Sequence, residues 1–198
     1  MREPQNIAEV ADLGIDFMGF IFWSKSPRAY NAVDEKPLIK HSFDFHKVGV
    51  FVNASVKEMV ETASEYHLQY LQLHGNESAQ DCLALHKKGF GVIKAFSIAS
   101  DADLQKTNDY IGSVDYFLFD TKCNTYGGSG KQFDWNVLAN YRGRTPFFLS
   151  GGINPDSEES IRKFNHPSFA GIDLNSGFEL SPGLKDVNKL RKFITSLK

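Results

Sequence analysis

The chain has 198 residues, of which 41% are hydrophobic and 23% are charged. This length suits one domain, residues 1–198, and the composition is typical of a globular protein that buries a substantial core. The formal net charge is −2 and the sequence pI is about 6.3. This balance gives no reason to expect a nucleic acid or an anionic membrane as a partner.

The two cysteines, Cys82 and Cys123, do not form a spaced pair, so neither a disulfide framework nor a zinc site is indicated. No apolar run approaches the ~18–20 residues that span a bilayer. The opening segment, 1–4, does not have the character of a signal peptide. We therefore expect a cytoplasmic protein without a membrane segment.

Short apolar strands are predicted to alternate with amphipathic helices. The first helix begins at Pro4 and ends at Gly14. Seven strands follow, at 17–22, 48–52, 70–73, 92–96, 116–119, 146–149 and 169–172. The helices between and after them begin at the Ser55 capping box, at Asn76, near 101, near 134, at Asn154 and near 186.

Apolar strands that are each followed by a helix indicate an α/β fold with a parallel sheet covered by helices. Such a sheet is either doubly wound or closed into a TIM (β/α)₈ barrel. The count of about seven strands is one short of that barrel. In both folds, ligands bind at the carboxyl ends of the strands.

Two glycine loops follow the last two predicted strands and could bind a phosphate. They are Ser150-Gly151-Gly152 and Asn175-Ser176-Gly177. Glycine lets several backbone N–H groups approach one anion, and a short helix beginning near Asn175 would add its positive end. Ordinary turns are the alternative interpretation.

Three charged residues near strand ends are candidates for chemistry. We expect Asp120, at the end of a buried strand, to be desolvated, which would raise its pKa and suit it to general acid work; a helix cap is equally compatible. Asp173 could accept a hydrogen bond from a sugar hydroxyl. Arg28 could clamp a carboxylate through its planar fork, although a lone loop arginine is usually solvated.

Two weaker candidates complete the set. His74 also follows a strand, where a lone histidine is more often structural than catalytic. Gly127, Gly128 and Gly130 could form a mobile lid, because glycines permit hinge motion.

In combination, these segments resemble the phosphoribosylanthranilate isomerase family. The matching motifs cover essentially the whole chain: GFIF at 19–22, SPR at 26–28, VGVFVN at 48–53, LQLHG at 71–75, VIKA at 92–95, LFDT at 118–121, GGSG at 127–130, FDW at 133–135, LSGG at 149–152, the segment 173–179, PG at 182–183 and KD at 185–186. Any one motif would be weak, but the ordered set is specific.

The resemblance implies a (β/α)₈ barrel and an Amadori rearrangement in tryptophan biosynthesis. N-(5′-phosphoribosyl)anthranilate becomes 1-(2-carboxyphenylamino)-1-deoxyribulose 5-phosphate through an acid at the ring oxygen and a base at the C2′ proton, without a cofactor or metal. The implied roles are general acid for Asp120, anthranilate carboxylate binding for Arg28, ribose binding for Asp173, further substrate contacts for Gln72 and His74, and phosphate binding for Gly151, Gly152, Asn175, Ser176 and Gly177.

One departure concerns the base. In the family, a first strand ends in Lys-x-Cys-Gly, and its cysteine is the general base; residues 1–4 here align just after that motif. We therefore expect that strand and its cysteine to be missing from the given sequence. Cys82 is expected in a helix, and Cys123 is a poor substitute. A barrel open at that point would have exposed strand edges, so a monomer or a homodimer is expected.

Two alternatives remain open. Another phosphate-binding barrel enzyme, such as indole-glycerol-phosphate synthase or a phosphosugar epimerase, would need lysines and glutamates or metal-binding histidines at the strand ends. Only Lys94 lies within a predicted strand, and no histidine pair has ligand spacing. The second alternative is a non-catalytic phosphosugar-binding protein that has lost its base.

We predict that the chain 1–198 has much lower isomerase turnover than the same chain preceded by a strand ending in Lys-x-Cys-Gly. The reason is that proton removal at C2′ lacks its base. Steady-state rates of the two proteins test this. Equal and high rates would contradict it.

Overall fold

The computed structural model describes residues 1–30, 44–121 and 135–198. Seven strands form one parallel sheet: β1 Phe17–Ile21, β2 His46–Phe51, β3 Tyr70–Leu73, β4 Gly91–Ile98, β5 Tyr116–Thr121, β6 Phe147–Ser150 and β7 Phe169–Ile172. A separate antiparallel pair consists of β8 Glu179–Ser181 and β9 Leu184–Lys185. All seven predicted strands are present, with their ends shifted by up to two residues.

Helices connect and cover these strands. The α-helices are α1 Pro4–Ala11, α2 Val56–Tyr66, α3 Ala79–His86, α4 Asp101–Gln105, α5 Glu158–Lys163 and α6 Val187–Leu197. Short 3₁₀ helices span Lys106–Tyr110, Trp135–Asn140, Pro155–Ser157 and Ser176–Phe178. In the part of the chain that the structure describes, no helix has the length and apolar character needed to cross a membrane.

The start of α3 differs from the prediction. Ser78, rather than Asn76, caps this helix, and it forms a reciprocal capping box with Asp81. Asn76 instead belongs to the preceding loop, because its backbone N–H donates to the Asn53 side chain at 2.7 Å.

The strand order settles which α/β architecture is present. Each strand from β1 to β7 pairs in parallel with the next one along the chain. A doubly wound sheet would reverse its order at a switch point, so that alternative is wrong. The sheet also curls, since the Phe17 ring of β1 lies 5.3 Å from the Phe148 ring of β6. Within the described residues, this is a seven-stranded (β/α) barrel in which β1 and β7 each have one neighbouring strand.

Alternate residues of each strand face the barrel interior. An aromatic layer near the amino ends contains Phe17, Tyr70, Tyr116 and Phe148, and it packs against a small apolar layer of Val48, Ile93, Ala95 and Leu118. Because side chains alternate between faces, the next inward positions along β3, β5 and β6 are Gln72, Asp120 and Ser150. The fold therefore brings these three polar side chains to one rim.

The outward face of the sheet carries a buried ion pair. Lys94 of β4 places its Nζ 3.3 Å from Glu77 Oε2, and both side chains are about 2% exposed. The same Nζ donates to the backbone carbonyls of Leu73 at 3.0 Å and Gly75 at 2.8 Å. Lys94 thus ties the loop after β3 to the next strand.

Glu77 extends this connection to a second loop. Its carboxylate accepts the backbone N–H of Asn53 at 2.7 Å and that of Gly75 at 3.0 Å. Gly75 must be glycine here, since a Cβ would lie 2.4 Å from the Asn53 side-chain oxygen. The Lys94–Glu77 pair therefore fixes the loops after β2 and β3.

We predict that Lys94→Met lowers the free energy of unfolding by about 3–5 kcal/mol, because it leaves the Glu77 carboxylate buried without its cation. Chemical denaturation measures this loss. Lys163→Met is the matched control, because Lys163 pairs with Glu159 at the surface and is 74% exposed. That change should cost under about 0.5 kcal/mol. Equal effects of the two substitutions would contradict the assignment.

Candidate active site

Asp120, Ser150 and Asp173 lie together at the carboxyl rim of the barrel. Asp120 is the register partner of Ser150 on the neighbouring strand. The Ser150 hydroxyl donates to Asp173 Oδ2 at 2.8 Å, and the Asp173 backbone N–H donates to the Leu149 carbonyl at 2.8 Å. The two carboxylates singled out in the sequence therefore lie at the carboxyl ends of β5 and β7, on either side of Ser150 at the end of β6.

The Asp120 side chain is less buried than its strand position suggested. It keeps 29% of its surface exposed, because its inward-facing position is the last layer before the barrel opens to solvent. A carboxylate in this place is accessible to a bound ligand. The structure therefore shows an accessible carboxylate where the strand position predicted a desolvated one.

His74 faces Asp120 across the rim. Its Nε2 lies 3.9 Å from Asp120 Oδ2, too far for a direct hydrogen bond. The amide nitrogen of Gln72 lies 2.9 Å from His74 Nδ1. Since an amide nitrogen can only donate, Nδ1 is the acceptor, which places a ring N–H on Nε2, towards Asp120. Gln72 thus sets the orientation of His74.

The segments that follow β6 and β7, which contain the two predicted phosphate loops, are in contact. A Cβ on Gly177 would lie 2.3 Å from the Ile153 carbonyl oxygen and 3.0 Å from the Asn154 Cα, so only glycine allows this approach. Gly151 and Gly152 have φ values of 87° and 68°, in the region that favours glycine.

The expected short helix is also present, as the 3₁₀ turn Ser176–Phe178. Because the first N–H groups of a helix have no acceptor within it, those of Ser176 and Gly177 are suited to bind an anion. The loops after β6 and β7 together form a candidate anion-binding site.

Arg28 is not the solvated loop arginine that its type alone would suggest. Its Nε lies 3.0 Å and 2.9 Å from the two carboxylate oxygens of Glu179, and its Nη2 lies 2.7 Å from Oε2. Sequence reasoning missed this partner, although Glu179 lies within one of the family-like segments.

The thiols and the predicted lid can also be placed. Cys82 lies in α3, and burial raises the pKa of its thiol to about 12, which agrees with the expectation that it cannot serve as the base. Cys123 and the lid glycines Gly127, Gly128 and Gly130 lie outside the described residues. Among the described residues, no cluster of three His, Cys, Asp or Glu could hold a metal ion.

The residues that the structure does bring together form one rim. The two glycine loops follow β6 and β7, the Asp120 carboxylate lies beside the first of them at the end of β5, and the oriented imidazole of His74 faces Asp120. Such an arrangement can bind a phosphorylated small molecule and exchange protons with it.

Comparisons with known proteins agree with this geometry. The family model described as N-(5'phosphoribosyl)anthranilate (PRA) isomerase matches residues 1–196. A curated N-(5'-phosphoribosyl)anthranilate isomerase from Parabacteroides distasonis is 57% identical over 202 residues, which cover 100% of this chain and 90% of the relative.

Solved structures extend the agreement to the fold. The phosphoribosyl anthranilate isomerase of Thermotoga maritima superposes with a TM-score of 0.87 at 32% identity, over 100% of this chain and 95% of that one. A phosphoribosyl anthranilate isomerase in complex with reduced 1-(o-carboxyphenylamino)-1-deoxyribulose 5-phosphate gives a TM-score of 0.85 at 29% identity, over 100% and 94% of the two chains. With a family model along nearly its whole length and a relative at 57% identity, this chain belongs to the phosphoribosylanthranilate isomerase family.

Proposed function

We propose that this protein catalyses the Amadori rearrangement of N-(5′-phosphoribosyl)anthranilate to 1-(2-carboxyphenylamino)-1-deoxyribulose 5-phosphate in tryptophan biosynthesis. The observation that carries the proposal is the close approach of Gly177 to Ile153 and Asn154, which directly follow the first glycine loop, on the same barrel rim as Asp120. The family to which the protein belongs indicates the substrate, because the descriptions of its relatives name that compound.

The phosphate end of the substrate binds between the two loops. Backbone N–H groups of Gly151, Gly152, Ser176 and Gly177 donate to its oxygens, and Asn175 shapes the entrance to the second loop. Binding by backbone N–H groups tolerates the dianion without burying a fixed cation against it.

Asp120 acts as the general acid. It donates a proton to the furanose ring oxygen as the C1′–O bond breaks, and the nitrogen lone pair forms the C1′=N bond. Removal of the C2′ proton by a base then gives the enamine, which tautomerises to the ketone. The Nε2–H of His74 faces Asp120 and stabilises the carboxylate that remains after transfer.

The remaining polar groups orient the other parts of the substrate. Asp173, whose Oδ2 already accepts from Ser150, binds a ribose hydroxyl. Arg28 binds the anthranilate carboxylate, and Gln72 keeps His74 in place. The family's base is a cysteine, and among the described residues the only cysteine is Cys82, which is buried in α3.

The geometry disfavours the lysine-dependent alternative. The predicted strands contained only Lys94, but the observed strands also contain Lys185, in β9 and paired with Glu179, and Lys47, in β2. Lys47 and Lys94 are the lysines of the described seven-stranded sheet. Both point away from the interior: Lys47 Nζ donates to the Tyr66 carbonyl at 3.2 Å, and Lys94 binds Glu77. Neither amine is therefore placed to react with a ligand at the rim.

The cytoplasmic location and the monomer or homodimer state stay predictions.

We predict that Asp120→Asn lowers kcat by about 10²–10⁴-fold with little change in KM, because the amide cannot protonate the ring oxygen. Steady-state turnover is measured in the protein preceded by the Lys-x-Cys-Gly strand, so that both proton-transfer groups are present. Asp109→Asn, at an exposed carboxylate, is the matched control. An unchanged kcat in Asp120→Asn would remove Asp120 from the mechanism.

We predict that Gly177→Ala raises KM and the inhibition constant of inorganic phosphate by about 10-fold or more, the value of one or two charge-assisted hydrogen bonds. The added methyl group forces the loops apart. Gly19→Ala is the control, since its Cβ would meet only Val50 at 3.6 Å. If phosphate inhibits both variants equally well, the cradle lies elsewhere.

A further inference from the structure

Glu179 is a buried carboxylate that holds two cations near the rim. Its side chain is only 5% exposed. Oε1 lies 3.2 Å from Lys185 Nζ and accepts the Gly183 backbone N–H at 3.1 Å. Both oxygens bind Arg28. This Arg28–Glu179–Lys185 cluster therefore joins the loop after β1 to the β8–β9 pair.

The way Arg28 is bound leaves part of its fork available. Glu179 occupies the edge formed by Nε and Nη2. Within the described residues, Nη1 has no hydrogen-bond partner, and the side chain is 26% exposed. A guanidinium has five N–H donors in one plane, so the second edge can bind another carboxylate in the same plane.

The charges of the cluster favour a second anion. Burial alone would raise the pKa of Glu179, but the Arg28 hydrogen bonds, the Lys185 charge and the Gly183 N–H together lower it. Glu179 is therefore ionised at neutral pH. Burial lowers the pKa of Lys185, and the Glu179 and Asp173 charges oppose that shift. The one negative charge of Glu179 is shared between Arg28 and Lys185, which it contacts directly, and the Asp173 charge acts on the Lys185 side, so the Arg28 charge is only partly compensated.

The cluster also reaches the proposed phosphate cradle. Lys185 Nζ donates to the Asn175 side-chain oxygen at 2.8 Å. The backbone of Lys185 is itself fixed, since its N–H donates to Asn6 Oδ1 at 2.7 Å and its carbonyl accepts from Asn6 Nδ2 at 2.9 Å. The position of Arg28 is thereby set relative to the loop that contains Ser176 and Gly177.

We propose that Glu179, held by Lys185, is a positioning residue that orients Arg28 so that its free guanidinium edge selects substrates with a carboxylate on the aromatic ring. The proposal rests on the proposed function and names the origin of its substrate selectivity. Without Glu179, Arg28 would sample several rotamers, and ordering it on the ligand would cost side-chain entropy.

The test compares two ligands by isothermal calorimetry. One is reduced 1-(o-carboxyphenylamino)-1-deoxyribulose 5-phosphate, and the other is the same molecule without the ring carboxylate. In the unchanged protein, we expect the carboxylated ligand to bind about 10- to 100-fold more tightly, the value of a charge-assisted bidentate contact. In Glu179→Gln, this ratio should fall to near one, with little change in affinity for the ligand that lacks the carboxylate.

Two further variants separate positioning from stability. Glu179→Asp keeps the negative charge near Lys185 but shortens the side chain by one methylene, which moves the carboxylate away from Arg28. This variant should therefore also lose selectivity, and it tests the proposal if Glu179→Gln folds poorly. Glu158→Gln removes the carboxylate of an exposed pair with Arg162 and should leave the ratio unchanged. Thermal unfolding shows that each variant compared is folded.

Three outcomes would count against the proposal. An unchanged ratio in folded Glu179→Gln and Glu179→Asp would overturn it while leaving the proposed function intact. Tighter binding of the carboxylated ligand to Glu179→Gln would also overturn it, because Glu179 would then compete with the substrate for Arg28. Failure of the unchanged protein to bind either ligand would overturn both the proposed function and this inference.

Discussion

The alternation of side chains along a curled parallel sheet determines which residues can take part in chemistry. Inward positions on β3, β5 and β6 carry apolar groups in the lower layers and Gln72, Asp120 and Ser150 in the top layer. A slip of one residue in β5 would replace Asp120 with Phe119 at the rim, because the faces would exchange. The register of the apolar core thus fixes the position of the proposed acid.

Two buried ionic clusters support this rim in different ways. Lys94 and Glu77 lie on the helix side of the sheet, where they bind backbone groups and hold the loop that carries His74. The Arg28–Glu179–Lys185 cluster joins the two ends of the sheet order, since Arg28 follows β1 and Glu179 follows β7, and it leaves a guanidinium edge accessible. The first cluster fixes loops of the scaffold, and we propose that the second presents charge to a ligand.

Sequence patterns located the strands, the Ser55 capping box and the polar residues that follow each strand, because these depend on local periodicity and turn chemistry. They could not choose between a doubly wound sheet and a barrel, since strand order is a long-range property. They also missed both ionic clusters: Lys94 and Glu77 are 17 residues apart, and Arg28 and Glu179 are 151 apart. Asp120 was expected to be buried because its strand is apolar, but the opening of the barrel could not be read from that strand alone.

The most direct measurement is a crystal structure of this protein with reduced 1-(o-carboxyphenylamino)-1-deoxyribulose 5-phosphate. Our account places the phosphate within hydrogen-bond distance of the Gly152 and Gly177 backbone N–H groups, with the ring carboxylate on the free edge of Arg28. Asp120 should face the sugar between them. A phosphate bound away from both glycine loops would contradict the account.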